Sequence, residues 1–202
     1  VVLNYHNAAG DLLASYSNKA KERSKKLPLD KGANTFVWDT RGTGSELLPG
    51  MILWWANLDG PKAVPGAYKV SMSVGDQTIA THDFSILPDP RAEASVADMQ
   101  AQYDFITKVN TTINDAHNAI KNIRDVNGKL TAFMKKYKGD TAVSDLYTMA
   151  KDMKESLETV EKALYQTQNR SGQDPLNFPI RLTNKLGHLN SLVGLDDFPP
   201  TE

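Results

Sequence analysis

The sequence predicts an α+β chain of two domains, an N-terminal antiparallel β-sandwich followed by an antiparallel three-helix bundle. Before Pro88-Asp89-Pro90-Arg91, apolar residues alternate with polar ones and turn residues recur. After this link, apolar residues fall at steps of three and four, and glycine and proline become scarce. Alternation is typical of half-buried strands, and steps of three and four are typical of amphipathic helices. We therefore place the domains at 1–88 and 89–202.

A β-hairpin is predicted at the start of the chain. Leu3 and Tyr5 alternate with polar residues, and residues 8–11 supply turn chemistry. Leu13 and Tyr16 then continue the apolar pattern on the return strand. A further strand is expected at Phe36-Val37-Trp38, where two aromatic residues alternate.

The clearest strand pattern lies between residues 68 and 74. Its apolar face carries four residues at period two: Tyr68, Val70, Met72 and Val74. Gly75-Asp76 turns the chain into a last strand that ends near Ile86. Short strands at this spacing predict a small immunoglobulin-like or fibronectin III-like sandwich of about 90 residues.

Three helices are predicted at about 93–137, 141–168 and 177–194. The first carries the longest apolar stripe: Met99, Tyr103, Ile106, Val109, Ile113, His117, Ile120, Ile123, Leu130, Met134 and Tyr137. Asn127-Gly128 interrupts this stripe, but the pattern resumes in phase at Leu130, which favours one continuous helix. The second stripe runs Val143, Leu146, Ala150, Met153, Leu157, Val160 and Leu164. Short connections favour an internal bundle over an intermolecular coiled coil.

Composition excludes several classes of function. The chain has 23 basic and 24 acidic residues, so its charge gives no reason to expect nucleic acid as a partner. It has no cysteine, which excludes disulfides and thiolate sites. No apolar run approaches the roughly 20 residues of a membrane span. The chain does not begin with Met, and we expect it to be the C-terminal part of a longer protein.

No motif for catalysis or for cofactor binding is present, so we expect no cofactor and no metal. The four histidines lack paired-ligand spacing, and only His117 and His188 fall on helices that could face each other. Asp30 and Asp39 flank the Phe36–Trp38 strand, but two carboxylates occur by chance in any chain of this length. Asp39-Thr40-Arg41 is better interpreted as a turn in which the carboxylate accepts backbone N–H bonds.

The aromatic pair Trp54-Trp55 is the one candidate for ligand contact. It closes the apolar stretch 51–55 between two predicted strands. Aromatic pairs on β-sandwiches can stack on sugar rings, but they more often belong to a core or to an interface. Carbohydrate binding by Trp54 and Trp55 is therefore kept as an alternative function.

Four stretches of the chain resemble one family. Residues 32–41 fit the pattern G-x-N-x-F-x-W-D-x-R, and residues 60–70 fit GP-x-A-x-PG-x-Y-x-V. They are followed by Asp89-Pro90-Arg91 and by residues 174–182, which match a linker and the entry to a last helix. Together they resemble the C-terminal region of bacterial secreted proteins with a sortilin-like or BNR (Asp-box) β-propeller, commonly labelled glycosyl hydrolase-like. The first half is also similar to the immunoglobulin-like repeat of flagellar hook-capping proteins.

This resemblance implies a function without catalysis. No Asp-box of the form S-x-D-x-G-x-x-W occurs in the chain, so the propeller and any sugar chemistry on it are not expected here. The signature positions carried over are structural: Trp38, Asp39, Gly66, Tyr68, Asp89, Pro90 and Arg91. We expect Trp38 to anchor the sandwich and Gly66 to permit a close approach before the Tyr68 strand.

The leading hypothesis is a non-catalytic accessory or interaction module of a secreted, periplasmic or cell-surface bacterial protein. Its expected partner is an upstream β-propeller of the same chain, with a glycan or another surface protein as further possibilities. A third hypothesis is a helical oligomerisation module that uses the apolar stripe of the helix at 141–168.

Overall fold

The computed structural model describes residues 1–201 and has an α+β architecture, as the sequence predicted. Four strands come first: β1 (Val2–Asn7), β2 (Leu12–Ser17), β3 (Gly66–Val74) and β4 (Gln77–Ile86). Three α-helices follow: α1 (Val96–Lys136), α2 (Ser144–Leu164) and α3 (Leu182–Val193). Short 3₁₀ helices lie at Arg23–Lys25, Thr141–Val143 and Asp174–Leu176.

The four strands form one antiparallel sheet in the order β2-β1-β3-β4. The predicted hairpin at the start of the chain is confirmed, with Leu3 opposite Tyr16. Gly10 adopts a φ of 90° in its turn, a conformation that glycine tolerates because it has no Cβ. The strand pattern at 68–74 is also confirmed, and β3 pairs with both β1 and β4.

The expected strand at Phe36–Trp38 is not formed. Between the 3₁₀ helix at Arg23–Lys25 and β3, the described backbone forms β-bridges only as isolated pairs, such as Arg41 with Lys62. Trp38 nevertheless has the anchoring position that the sequence predicted. Its ring stacks on Tyr5 at a centroid distance of 4.2 Å and meets Phe84 edge-on at 6.3 Å. The indole N–H donates to the carbonyl oxygen of Arg41 over 2.9 Å.

Helix α1 is continuous through Asn127-Gly128, as the in-phase stripe predicted. A Cβ added at Gly128 would meet nothing within 4 Å, so this glycine has no packing role. The stripe is buried at the centre of the helix: Ile106, Val109, Ile113, His117, Ile120 and Ile123. Helices α2 and α3 begin later and end earlier than the predicted ranges 141–168 and 177–194. At the start of α2, the 3₁₀ helix Thr141–Val143 occupies the first predicted residues.

The change from strands to helices occurs between Ile86 and Val96, as the hydrophobic period indicated. The boundaries of the two compact units of the chain do not coincide with this change. Unit 1 contains Val1–Gly44, Asp59–Thr107 and Val193–Glu202. Unit 2 contains Ser45–Leu58 and Lys108–Leu192. Helix α1 therefore contributes to both units.

The core of unit 1 lies on the sheet. Leu13, Ala63 and Tyr68 are buried there, and four partly buried side chains pack against them: Trp38, Phe84, Ile86 and Tyr103. In unit 1 two backbone segments come close together at Gly60 and Gly42. A Cβ there would lie 2.1 Å from the carbonyl oxygen of Gly42, so only glycine fits without a shift of backbone.

The core of unit 2 includes a segment without helix or strand. Leu48 and Met51 pack with Ile120 of α1 and with Tyr165, just after α2. We call residues Ser45–Leu58 the strap, because its side chains supply part of the cover that a helix would supply in a simple bundle. The apolar side chains on one face of α2 stay exposed: Leu146, Met149, Met153 and Val160.

Candidate functional site

The strap is fixed to the helices of unit 2 by side chains that bond its backbone. Ser45 Oγ donates to Asn110 Oδ1 of α1 over 2.8 Å, and the N–H of Ile52 donates to the Tyr165 hydroxyl over 2.8 Å. His117 bonds the carbonyl oxygen of Glu46. Side chains thus satisfy backbone groups of the strap that have no strand or helix partner.

Helix α3 fixes the part of the strap that contains the tryptophans. Asn184 accepts from the N–H of Trp54 and donates to its carbonyl oxygen, each over 2.8 Å. The ring of His188 also bonds that carbonyl. At Gly187 the two segments meet so closely that a Cβ would lie 2.4 Å from Cβ of Ala56.

Trp55 is held in an unusual conformation and faces solvent. Its φ is 51°, in the left-handed region that costs a residue with a Cβ about 1–2 kcal/mol. Its side chain is 81% exposed, while Trp54 beside it is half-buried. The two rings are 5.7 Å apart with an interplanar angle of 37°. A strained backbone that presents a large aromatic ring to solvent is typical of a contact surface.

The two helical histidines are not placed as a pair. His117 and His188 each bond a different strap carbonyl, that of Glu46 and that of Trp54. Within residues 1–201, no group of three or more His, Asp or Glu side chains could hold a metal ion. Through their hydrogen bonds to these carbonyl oxygens, both histidines position the strap.

An open cavity of about 380 Å³ lies elsewhere in unit 2. Its lining comes from the strap, from α1, from α2 and from the segment after α2: Gly50, Arg124, Asn127, Glu158, Glu161, Lys162, Tyr165, Thr167, Asn169 and Arg170. Arg124 Nε donates to Glu161 Oε1 over 2.8 Å, and the Arg124 guanidinium lies 5.8 Å from the centroid of the Tyr165 ring. The amide oxygens of Asn127 and Asn169 are buried without a hydrogen-bond partner.

The remaining signature residues form local structure. Asp39 Oδ1 accepts from the N–H of Arg41 over 3.0 Å, which confirms the predicted turn. Asp89 and Arg91 form an exposed ion pair at 2.7 Å on either side of Pro90. The Arg91 hydrogen bonds lower the pKa of Asp89 from its usual value. These residues shape a turn between β4 and α1.

The expectation for Gly66 is wrong. A Cβ at this position would meet only the carbonyl oxygen of Val64 at 3.8 Å, which is ordinary contact. The close approach lies six residues earlier, at Gly60. Tyr68 is buried as expected, and its hydroxyl donates to the carbonyl oxygen of Val64.

The sequence does not predict the cavity, because its residues carry no recognisable spacing. Asn127 is separated by more than forty positions from Asn169. The strap was missed for the same reason, since Ser45–Leu58 has no hydrophobic period. Only the pair Trp54-Trp55 could be found from the sequence.

Within residues 1–201, no helix combines the length and the apolar character needed to cross a membrane. Comparison with known proteins found no matching family model, no matching curated protein and no matching solved structure.

Proposed function

We propose that this chain is a non-catalytic accessory module of a secreted bacterial glycosyl hydrolase-like β-propeller protein, and that it acts as an interaction surface. The observation that carries the proposal is Trp55, which the strap holds exposed at a φ of 51°. A residue whose backbone is already held in its bound conformation loses less entropy on binding, so such a residue is suited to contribute to an interface.

The proposal also assigns an immunoglobulin-like sandwich to the N-terminal half of the chain. Four antiparallel strands in the order β2-β1-β3-β4 are compatible with it, and so is the aromatic cluster around Trp38. The motif resemblance supplies the propeller as partner and the secreted setting. The coding sequence upstream of Val1 gives the first check: Asp-box repeats there support the proposal, and their absence contradicts it.

The experiment measures binding of this chain to the upstream propeller, purified as a separate protein. We expect Trp55→Ala to weaken binding by about thirtyfold, as loss of an interface tryptophan commonly does. Leu176→Ala is the matched control, since Leu176 is a 65% exposed apolar residue of unit 2 outside the strap. Titration calorimetry gives both dissociation constants.

A second variant separates binding from folding. Trp55→Gly removes the ring, and glycine adopts a φ of 51° without strain, so the variant should be as stable as the wild type or more stable. We expect it to bind as weakly as Trp55→Ala. Equal binding by the wild type and both variants would show that Trp55 does not contribute to the interface. Hydrolysis of aryl glycosides by the chain would contradict the proposal of a non-catalytic module.

Carbohydrate binding by the tryptophan pair is the second candidate. The specific observation in its favour is that Trp54 and Trp55 are adjacent, tilted by 37°, and in one case exposed. Aromatic faces of this kind can stack on sugar rings. A glycan array followed by a tryptophan-fluorescence titration of Trp54→Ala and Trp55→Ala tests it. Absence of binding, or an affinity in both variants equal to that of the wild type, removes this candidate.

A further inference from the structure

We propose that a positively charged loop of unit 1 docks on the surface of an anionic lipid bilayer by electrostatic attraction. The loop comprises residues 18–26, between the end of β2 and the buried Leu27, and we call it the basic loop. Five of its residues are cations: Lys19, Lys21, Arg23, Lys25 and Lys26. It lies in unit 1, whereas Trp55 lies in unit 2, so its docking is an interaction beyond the proposed function.

The basic loop has a defined backbone that is closed at its base. The N–H of Leu27 donates to the carbonyl oxygen of Ser17 over 3.0 Å, and Lys26 forms a β-bridge with Ser17. Inside the loop, the N–H of Ala20 donates to the Ser17 carbonyl oxygen over 3.1 Å, and the N–H of Lys26 donates to that of Arg23 over 3.2 Å. A short loop whose ends meet in this way is an Ω-loop, a form that is frequently functional. The cations are therefore carried by a folded loop.

Four cations of the basic loop have no counterion. Glu22 is the one acidic residue of the loop, and it lies 3.0 Å from Lys25. Within residues 1–201, no carboxylate forms an ion pair with the other four, which are all exposed: Lys19, Lys21, Arg23 and Lys26. The lysines of α2 differ, because each lies 3.1 to 3.9 Å from a glutamate: Lys151, Lys154 and Lys162. The basic loop thus presents four uncompensated positive charges to solvent.

A layer of anionic lipid headgroups is the partner that these charges fit. Each Lys or Arg close to such a surface strengthens binding about fivefold, and clusters of about four or more are typical of segments that bind anionic lipids. Four of the five cations are lysines. A lysine ammonium is a compact point charge, so a diffuse layer of negative charge attracts it without requiring a fixed geometry.

The composition of the basic loop also indicates how it binds. Ala20 is its one apolar residue, so the loop has no large side chain to insert among the acyl chains, and its attraction should depend on salt. Nucleic acid fits less well. Contacts with bases rely on arginine forks and on aromatic stacking, whereas the loop has one arginine and no aromatic residue.

The test measures binding of the full chain to vesicles by cosedimentation. One set of vesicles contains phosphatidylcholine alone, and in the other about a third of the lipid is phosphatidylglycerol. We expect binding to the anionic vesicles alone at about 0.1 M salt, and its loss at about 1 M salt, where the Debye length falls from about 10 to 3 Å. Absence of binding, equal binding to both sets, or binding that persists at high salt overturns the proposal.

Two double variants locate the binding. Lys19→Gln combined with Lys21→Gln removes two unpaired charges, and we expect it to bind the anionic vesicles about 25-fold more weakly than the wild type. Lys108→Gln combined with Lys185→Gln is the matched control, since it changes the net charge equally at exposed positions of α1 and α3. It should bind as the wild type does. Equal affinity of the two double variants overturns the assignment to the basic loop.

Three further measurements separate the explanations. Urea denaturation should give the Lys19 and Lys21 double variant the stability of the wild type, because both side chains are exposed. Tighter binding to a duplex DNA than to the anionic vesicles, at equal phosphate and salt concentrations, overturns the choice of a lipid surface. Trp55→Ala should keep the vesicle affinity of the wild type, so failure of the Trp55 interface and failure of the basic loop are separate results. Loss of vesicle binding in Trp55→Ala contradicts this placement of the surface.

Discussion

At the scale of single residues, His117 is a buried histidine whose protonation affects stability. It is 1% exposed, and its Nδ1 faces the carbonyl oxygen of Glu46. A carbonyl only accepts, so Nδ1 carries the proton and donates, which leaves Nε2 as a buried acceptor without a partner. Burial is the main cause that lowers the pKa of His117 from 6.5, and nearby Lys121 lowers it further.

This shift predicts that the protein loses stability as the pH falls. Well above pH 6.5 the histidine is neutral in both the folded and the unfolded chain. As the pH falls below 6.5, the unfolded chain gains a proton that folded His117 resists, so the free energy of unfolding decreases until the lower folded pKa is reached. Urea denaturation between about pH 7.5 and 5.5 measures this slope.

Two variants assign the slope to one residue. His117→Gln keeps a donor for the Glu46 carbonyl but has no titrating group, so its stability should vary less over this pH range. His82→Gln is the control, because His82 is exposed on β4 and its loss should leave the slope unchanged. A slope that persists in His117→Gln contradicts the assignment.

Trp55 shows what sequence reasoning could and could not find at this scale. Its identity and position next to Trp54 singled it out as a contact candidate. Its φ of 51° and its exposure depend on bonds from α3, including the Ser191 hydroxyl that donates to the Trp55 carbonyl oxygen over 3.1 Å. No local pattern in residues 51–55 predicts that conformation.

At the scale of elements, the strap and α3 are joined by close packing as well as by hydrogen bonds. Gly187 lies inside α3 and is buried, and its carbonyl oxygen accepts from the N–H of Asn57 over 3.1 Å. Asn190 Nδ2 donates to the carbonyl oxygen of Asn57 over 3.1 Å. These bonds require the two backbones to approach closely, which a side chain at position 187 would prevent.

Gly187→Ala should therefore destabilise the protein. Its Cβ would lie 2.4 Å from Cβ of Ala56, so the strap must move, and we expect a loss of about 1–3 kcal/mol in the free energy of unfolding. Gly128→Ala is the matched control: it also lies inside a helix, but in open space, and it should stabilise the protein by about 0.5–1 kcal/mol. Urea denaturation followed by circular dichroism measures both.

A double variant tests whether the contact with Ala56 causes the loss of stability in Gly187→Ala. Ala56→Gly combined with Gly187→Ala removes the facing methyl group and should recover part of the lost stability. Destabilisation of similar size in Gly128→Ala and Gly187→Ala would show that helix position, and not the strap contact, determines the effect.

At the scale of the whole molecule, the exposed face of α2 is the largest departure from a simple bundle. Leu146, Met149, Met153 and Val160 lie at helical spacing on one face and are 49–63% exposed. The three-helix bundle expected from the sequence would have covered this stripe. The charged faces beside it carry i,i+4 pairs such as Lys154 with Glu158 at 3.1 Å.

This face predicts weak self-association, as the oligomerisation hypothesis requires. Sedimentation equilibrium of the wild type should show a mass that rises with protein concentration. We expect Leu146→Glu combined with Met153→Glu to abolish that rise, since charges oppose contact between apolar faces. Thr148→Glu adds a charge at an exposed position of α2 away from this face and should leave association unchanged. A wild-type monomer at high concentration excludes this hypothesis.

The sequence alone determined the α+β class, the hairpin, the strand at 68–74, the continuous α1 and the anchoring role of Trp38. These follow from hydrophobic period and turn chemistry, which act between residues close in the chain. Only the tertiary structure decided that Phe36–Trp38 is not a strand, that the strap covers α1, and that Asn127 and Asn169 share a cavity. The link at Pro88-Asp89-Pro90-Arg91 marks where the local period changes, but long-range contacts decide which residues pack together, and no spacing in the sequence encodes them.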